Sequence, residues 1–409
     1  MDTGAVPSAL PTGDPAPADG ALPQAALDGL GNRPFGVYVH VPFCVTRCGY
    51  CDFNTYTPGE LDGSASPKSW LAGLRAELSL AARVLDRPLA ADTVFVGGGT
   101  PSLLGAEGLT EVLDVVRDTF GLASGAEVTT ESNPESTSPE FFAGIRAAGY
   151  TRVSLGMQSA APHVLAVLDR RHTPGRAVAA AGEARAAGFE HVSLDMIYGT
   201  PGEEPADLRA TVDAVLAAGV DHVSAYALIV EEGTALHRRI ARGELPMPDD
   251  DRLAEYYERI DEAFTAAGLR WYEVSNWAID AGARCRHNMG YWLGGDWWGA
   301  GPGAHSHVGG VRWWNVKHPA RYAGLLAEGT SPAAGRETLT VDDRRLERVL
   351  LELRLSDGLA LDALEGTASA QARGAVADGL LDATALATGR CVLTRRGRLL
   401  ADAVVRRLT

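Results

Sequence analysis

Short β-branched runs alternate with amphipathic stretches along much of this 409-residue chain, and no other feature constrains its fold as tightly. Strand-like segments stand at residues 35–40, 92–96, 126–131, 152–156, 191–197 and 222–227. Helix-like stretches at 70–84, 107–120, 176–187 and 206–217 lie between them. Alternation at this interval builds βαβ units around a parallel sheet. About six such units fit into residues 35–229, which predicts an α/β fold built as a partial (βα)6 barrel. Chemistry-bearing residues fall just after the strands, where the C-terminal mouth of an α/β barrel would gather them. An open, doubly wound sheet satisfies the same pattern and stands as the alternative.

The flanks differ in composition. Residues 1–34 are rich in Ala, Pro, Gly and Asp and hold no aromatic side chain. Such a segment buries too little apolar surface to offset its ordering entropy, so a disordered tail is expected there. Residues 230–335 read as a Trp- and His-rich extension: seven of the eight tryptophans lie between Trp271 and Trp314, with His287, His305 and His307 among them. Residues 336–409 carry helical stretches and a short β-like run at 391–397, which predicts a small winged-helix-like domain in a lid or docking role. The formal net charge of −15 argues against nucleic-acid binding, which needs a basic surface. No apolar run approaches the ~20 residues of a membrane span. Five cysteines, three of them clustered, do not make a disulfide framework, and the N-terminus lacks the pattern of a signal peptide. A reducing compartment, the cytoplasm, is the expectation.

The clustered cysteines follow the first strand, in the run His40-Val41-Pro42-Phe43-Cys44-Val45-Thr46-Arg47-Cys48-Gly49-Tyr50-Cys51-Asp52-Phe53. Their spacing is Cys44-x3-Cys48-x2-Cys51. Iron–sulfur clusters normally take four cysteines. Three close thiolates can hold three irons of a [4Fe–4S] cluster and leave the fourth open to a ligand, as a catalytic zinc keeps one position open. A structural Cys3His zinc site completed by His40 draws on the same residues and is the competing reading. The spacing resembles the signature of the radical S-adenosylmethionine (SAM) superfamily, where the amino and carboxylate groups of SAM chelate the open iron.

Further motifs appear in order: Tyr38-x-His40-x-Pro42-Phe43-Cys44, Gly97-Gly98-Gly99-Thr100-Pro101-Ser102, Glu131-x-Asn133-Pro134, Leu155-Gly156-Met157-Gln158-Ser159, Asp195-Met196-Ile197-Tyr198-Gly199 and His287-Asn288-x-x-Tyr291-Trp292. Together they resemble the oxygen-independent coproporphyrinogen III oxidase-like radical SAM proteins over about residues 35–409. The resemblance implies a radical SAM partial barrel. It implies cluster ligation by Cys44, Cys48 and Cys51, and SAM contacts from Gly98, Gly99, Thr100, Glu131, Gln158, Arg170 and Asp195. Tyr38 matches a position beside the cluster, and Tyr50 and Ala227 join the cofactor-binding set. Read without the resemblance, the glycines make a tight turn, Glu131 enters a helix, and Arg170 belongs to a solvated charge run.

One departure separates two branches. The oxidases carry a fourth cysteine two residues after the third, and Phe53 stands there in this chain. That pattern is similar to the HemW-type haem chaperones, in which the histidine of His-Asn-x-x-Tyr-Trp is implicated in haem binding. The matching residue is His287, and imidazole is an ordinary axial ligand of haem iron. The glycines of 299–303 suggest a close-packed loop at the same site, while Cys285 and Cys391 read as buried thiols. The resemblance therefore implies a haem chaperone that binds a [4Fe–4S] cluster, SAM and haem and passes haem to an acceptor protein. The alternatives are a coproporphyrinogen III dehydrogenase, disfavoured by Phe53, and a radical SAM methyltransferase.

Overall fold

In the computed structural model, which describes residues 13–61 and 63–409, the six strand-like segments become consecutive strands of one sheet. They are β1 (Phe35–Val41), β2 (Ala91–Gly98), β3 (Leu122–Ser132), β4 (Arg152–Gln158), β5 (His191–Tyr198) and β6 (His222–Ala227). Each pairs in parallel with the next. The order never turns back, which rules out the doubly wound alternative with its switch point. β1 and β6 are not neighbours, so the barrel stays open. Right-handed crossovers in an unreversed order put the connecting helices on one face. Val37, Val39 and Val41 point to that face and join Trp70, Leu74 and Leu78 of the helix Pro67–Leu85 in the main core. Tyr38 and His40 alternate with them onto the opposite, concave face. A capping box starts that helix: the Ser66 hydroxyl accepts from Ser69 N (3.2 Å) and the Ser69 hydroxyl from Ser66 N (2.9 Å).

The Trp- and His-rich region does not stand apart from the barrel. It supplies both edges of the same sheet. β7 (Arg270–Glu273) and β8 (Asn276–Ala278) form an antiparallel pair against β6. β9 (Asp296–Ala300) runs parallel to β1 on the other edge. β10 (His305–Val308), β11 (Val311–Asn315) and β12 (Ala333–Thr338) continue from it as an antiparallel flap. Glu77 in the helix Pro67–Leu85 ties the flap down, accepting from Gly301 N (2.8 Å), Asn315 Nδ2 (2.8 Å) and the Tyr322 hydroxyl (2.6 Å).

The expected tail needs correction over its second part. Residues 1–12 lie outside the described residues, but the chain from residue 13 packs on the body. Asp14 exchanges backbone hydrogen bonds with Arg336 at the edge of β12, and Ser331 N donates to Ala18 O (2.7 Å). Ala26 and Leu30 enter the main core, and Arg33 pairs with Asp296 at 2.8 Å. An unpaired sheet edge offers backbone partners whatever the segment's composition, and Leu22 and Leu27 pack against the core beside Ala26 and Leu30.

Residues beyond β12 build a second core from Val349, Leu353, Leu359, Leu381, Leu393 and Val404. Helices Val341–Glu352, Ala368–Ala377 and Ala401–Leu408 surround it, with an antiparallel pair of two-residue strands, β13 (Leu359–Ala360) and β14 (Arg390–Cys391). Arg398 docks this unit on the barrel. Its guanidinium makes a fork to both oxygens of the buried Asp261 (3.0 and 2.8 Å) and lies 4.6 Å from the centre of the Trp271 ring. Arg398→Lys keeps the charge but loses the planar fork. It is expected to weaken docking by about 1.5–3 kcal/mol, the worth of a charge-assisted hydrogen bond. Limited proteolysis checks this: the C-terminal unit should be released faster than in wild type, and an unchanged cleavage rate counts against the anchor. Among the described residues, no helix is long and apolar enough to cross a membrane.

Candidate functional site

The cysteine loop is held by the strand ends beneath it. After β1, Gly99 N donates to Val41 O (2.7 Å) and Thr100 N to Phe43 O (2.8 Å), which carries the β1–β2 ladder one step past both strands. Cys44 N donates to Tyr56 O (3.0 Å) and Cys51 N to Cys48 O (3.2 Å), so the loop returns on itself with all three thiols free and half-buried. The Thr100 hydroxyl lies 3.6 Å from Cys44 Sγ, and the Arg170 guanidinium 3.3 Å from Cys48 Sγ. Burial pushes the Cys44 thiol up, and the Cys51 thiol up to about 12. A metal bound there would have to displace protons from them, and Arg170 lies beside the Cys48 sulfur to balance thiolate charge.

A Cys3His zinc site would need His40 to turn a free nitrogen toward the thiols. Among the described residues, no three His, Cys, Asp or Glu groups converge at the spacing of a single ion. Thiolates that hold three different irons have no need to converge. His40 is also committed elsewhere: Nε2 donates to Asn54 O (2.8 Å), Nδ1 faces the Tyr38 hydroxyl (3.0 Å), and burial lowers its pKa to about 4.

A cavity of about 690 Å³ opens above the loop at the C-terminal ends of the strands. The three cysteines line it, and so do Tyr50, Gly98, Gly99, Thr100, Glu131, Gln158, Arg170, Asp195 and Ala227. Each comes from a strand end or the turn after it. Glu131 Oε2 accepts from Gly98 N (3.0 Å). Its carboxyl is raised to about 7, first by burial and then by the neighbouring Asp195 charge. Asp195 is held by the Ser154 hydroxyl (2.8 Å) and is raised by burial. Gln158 sits at a bulge in β4 with φ +67°, a left-handed conformation that a non-glycine residue adopts at a cost. Ser154 was not singled out by the sequence reading. Its signal was the alternation of Ser154, Gly156 and Gln158 onto the inner face of β4.

The glycines that line this cavity also serve the packing beneath it. A Cβ on Gly98 would come within 2.6 Å of the His40 ring, and one on Gly99 within 2.5 Å of Phe43 O. Their bareness lets β2 close on the cysteine loop itself. Gly301 likewise presses against the His40 carbonyl, as expected of a close-packed loop.

Tyr38 lies outside this first cavity. It lines a second one, of about 850 Å³, between β1, the flap and the helix Val341–Glu352. The two cavities share Phe53, Gly98 and Glu131. Phe53, standing where the oxidases have a cysteine, is 59% exposed and places an apolar ring at this junction.

His287 lines neither cavity, although its partner Tyr291 lines the second. The helix Arg286–Trp292 plugs the opposite end of the barrel, below Gly36 of β1 and Thr93 of β2. His287 is 3% exposed, its ring stacks on Phe95 at 5.3 Å, and both nitrogens are taken: Nδ1 by the Thr93 hydroxyl (2.8 Å) and Nε2 by the Tyr291 hydroxyl (2.7 Å). Burial lowers its pKa to about 4. Glu127 fixes the plug, accepting from Arg286 N (3.1 Å) and His287 N (3.0 Å) while it pairs with the buried Arg152 (3.1 Å). Arg152 in turn donates to the carbonyls of Ala283 and Arg284 (2.8 and 3.1 Å). Cys285 is a buried thiol against Glu127, and Cys391 lies in the second core.

An unreversed, open six-strand parallel barrel with a three-cysteine loop after its first strand is the arrangement of radical SAM proteins. Residues 38–215 match the family model described as the Radical SAM superfamily. A solved structure of coproporphyrinogen III oxidase (HemN) from Escherichia coli has the same fold, with a TM-score of 0.79 over 96% of this chain and 94% of that one, at 22% identity. Heme chaperone HemW of Mycobacterium tuberculosis is 65% identical over 379 residues, 93% of this chain and 96% of the relative. Heme chaperone HemW of Bacillus subtilis is 33% identical over 324 residues, 79% of this chain and 84% of the relative. The chain belongs to the HemW haem-chaperone family of radical SAM proteins.

Proposed function

We propose that this protein holds a [4Fe–4S] cluster on Cys44, Cys48 and Cys51, binds SAM in the cavity above it, and binds haem for transfer to an acceptor protein. The observation that carries the cofactor reading is that the three thiols, Arg170, Glu131 and Asp195 all line one cavity. The amino and carboxylate groups of SAM would chelate the iron that the three cysteines leave open. Arg170 balances thiolate charge, Glu131 and Asp195 offer carboxylates to the cationic and hydroxyl groups of SAM, and Gln158 is turned toward the same space by its bulge. The haem reading is supported by the relatives' name and by a second cavity beside the first. Five free cysteines suit a reducing compartment, and we place the protein in the cytoplasm. The C-terminal unit, winged-helix-like in its order of helices and short strands, would serve as lid or docking element. Likeness to the oxidase structure at 22% identity speaks for the fold alone.

The raised carboxyl of Glu131 gives the test a pH dependence. With a pKa of about 7 in the free protein, Glu131 is largely protonated at pH 6. A cationic ligand prefers the carboxylate, so SAM binding should release a proton and tighten as pH rises from 6 to 8, by up to about tenfold per unit below the pKa. The same group binds its proton more tightly folded than unfolded. It therefore takes stability from the empty protein as pH rises from its ordinary 4.5 toward 7. Calorimetry in two buffers of different ionisation enthalpy reads the released proton directly. Glu131→Gln should bind SAM roughly ten- to a hundredfold more weakly, the loss of one charge-assisted hydrogen bond, and its affinity should be flat with pH. A wild-type affinity that is flat from pH 6 to 8 would remove Glu131 from the SAM contacts.

A further inference from the structure

We infer that Tyr272 and His222 position Asp195 for SAM through a one-way chain of hydrogen bonds that starts at the plug helix. The inference rests on the SAM reading above and adds two residues that line neither cavity. The register of the sheet builds the inner half of the chain. Ser193 and Asp195 alternate onto the concave face of β5, and in the parallel pairing with β6 they stand beside His222 and Ser224. His222 Nδ1 lies 2.8 Å from the Ser193 hydroxyl, which donates to Asp195 Oδ1 at 3.5 Å. His222 Nε2 lies 2.8 Å from the Tyr272 hydroxyl, and that oxygen accepts from Cys285 N (3.2 Å) at the start of the plug. Cys285, Tyr272, His222 and Ser193 are all buried.

The two ends set the direction of the chain. An amide can only donate, so the Tyr272 oxygen is an acceptor at the plug end. A carboxylate can only accept, so Ser193 is a donor at the cavity end. Between them one arrangement gives every proton an acceptor: Tyr272 O–H to His222 Nε2, His222 Nδ1–H to the Ser193 oxygen, and Ser193 O–H to Asp195. In the reverse arrangement His222 carries its proton on Nε2 and Ser193 turns its own to Nδ1. Asp195 then loses a donor, and the Tyr272 proton is stranded, since among the described residues that hydroxyl has no acceptor but His222. A buried donor without a partner is costly, whereas bonds aligned head to tail polarise and strengthen one another. Asp195 also takes the hydroxyls of Ser154 and Ser224, which oppose the burial that raises its carboxyl. The chain thus presents Asp195 to the cavity as an oriented carboxylate, and its anchor is a backbone amide at the opposite end of the barrel.

The test reads the His222 tautomer and the SAM affinity of the full-length, cluster-loaded protein. Imidazole-nitrogen NMR of the histidine-labelled wild type, assigned by the signal that His222→Asn removes, should show a neutral ring with its proton on Nδ1. A proton on Nε2, or a charged ring, would overturn the direction of the chain whether or not SAM binds. Tyr272→Phe removes the donor to Nε2. The His222 proton should then shift toward Nε2 and SAM should bind roughly three- to tenfold more weakly, the loss of one neutral hydrogen bond, while iron and sulfide content stays at the wild-type level. Should Tyr272→Phe fail to load its cluster, Ser193→Ala, which cuts the last link, takes its place with the same expected loss. His222→Leu should be as weak as Tyr272→Phe, whereas His222→Asn keeps an amide donor toward Ser193 and should bind SAM within about twofold of wild type. Unchanged SAM affinity in Tyr272→Phe, or an Asn variant as weak as the Leu variant, would overturn the positioning role. A wild type with its proton on Nδ1 that binds no SAM would instead overturn the function proposed above.

Discussion

A Cys51→Ala variant, reconstituted anaerobically with iron and sulfide, should fail to hold four irons and four sulfides per chain and should lack the brown absorbance of the wild type. The three thiols sit on one loop pinned by Gly99 N to Val41 O and Cys44 N to Tyr56 O, so no other thiol is at hand to replace the lost one. Cys285 and Cys391 are both buried elsewhere. Iron and sulfide analysis with the absorbance spectrum reads the outcome. A stoichiometric four-iron cluster in this variant would end the ligand assignment. One equivalent of zinc in anaerobically purified wild type would revive the Cys3His reading, despite the commitment of His40 to Asn54 and Tyr38.

Glu127→Ala should be the most destabilising substitution in the barrel. Glu127 neutralises Arg152, which is 1% exposed, and it also receives the first two amides of the plug helix. Removing one partner of a buried ion pair leaves the other charge uncompensated, at about 3–5 kcal/mol. The orphaned helix amides add to that, since an acid at a helix N-terminus also stabilises its dipole. Urea unfolding should show a correspondingly lower midpoint. Glu127→Gln retains one acceptor for the helix but not the charge, and should fall between wild type and Ala. A loss below about 1 kcal/mol for Glu127→Ala would mean the plug is held by its apolar contacts alone.

The parallel strands were legible in the sequence because each is a β-branched run followed by residues that stop it. Residues 222–227 are β6 as expected, while β3 begins at Leu122, before the expected 126, because pairing with β2 extends a strand past its own propensity. That Glu131, Gln158 and Asp195 line one cavity was legible for a related reason: in a parallel barrel every strand delivers its last residues to the same end, without any long-range information. The position of His287 was not legible. What decides it are Thr93, Glu127 and Arg152, each more than a hundred residues away in the chain, and nothing local tells a histidine with two partners from one with a free lone pair. The same holds for the parallel pairing of β9 with β1, which turns a Trp-rich stretch into a flap with two unlike faces. The seating of residues 13–34 depends on an edge that exists only once β12 is in place.

The wall common to the two cavities makes them one thermodynamic system. Gly98 and Glu131 face both spaces, and the Glu131 carboxyl changes its charge state near neutral pH. A ligand that fixes Glu131 as a carboxylate on one side alters what the other side meets. By linkage, whatever factor a ligand in the first cavity imposes on affinity in the second, a ligand in the second must impose on the first. Under the proposed function, loading or emptying the SAM side would shift the hold on a ligand in the second cavity, with no hinge and no moving domain required.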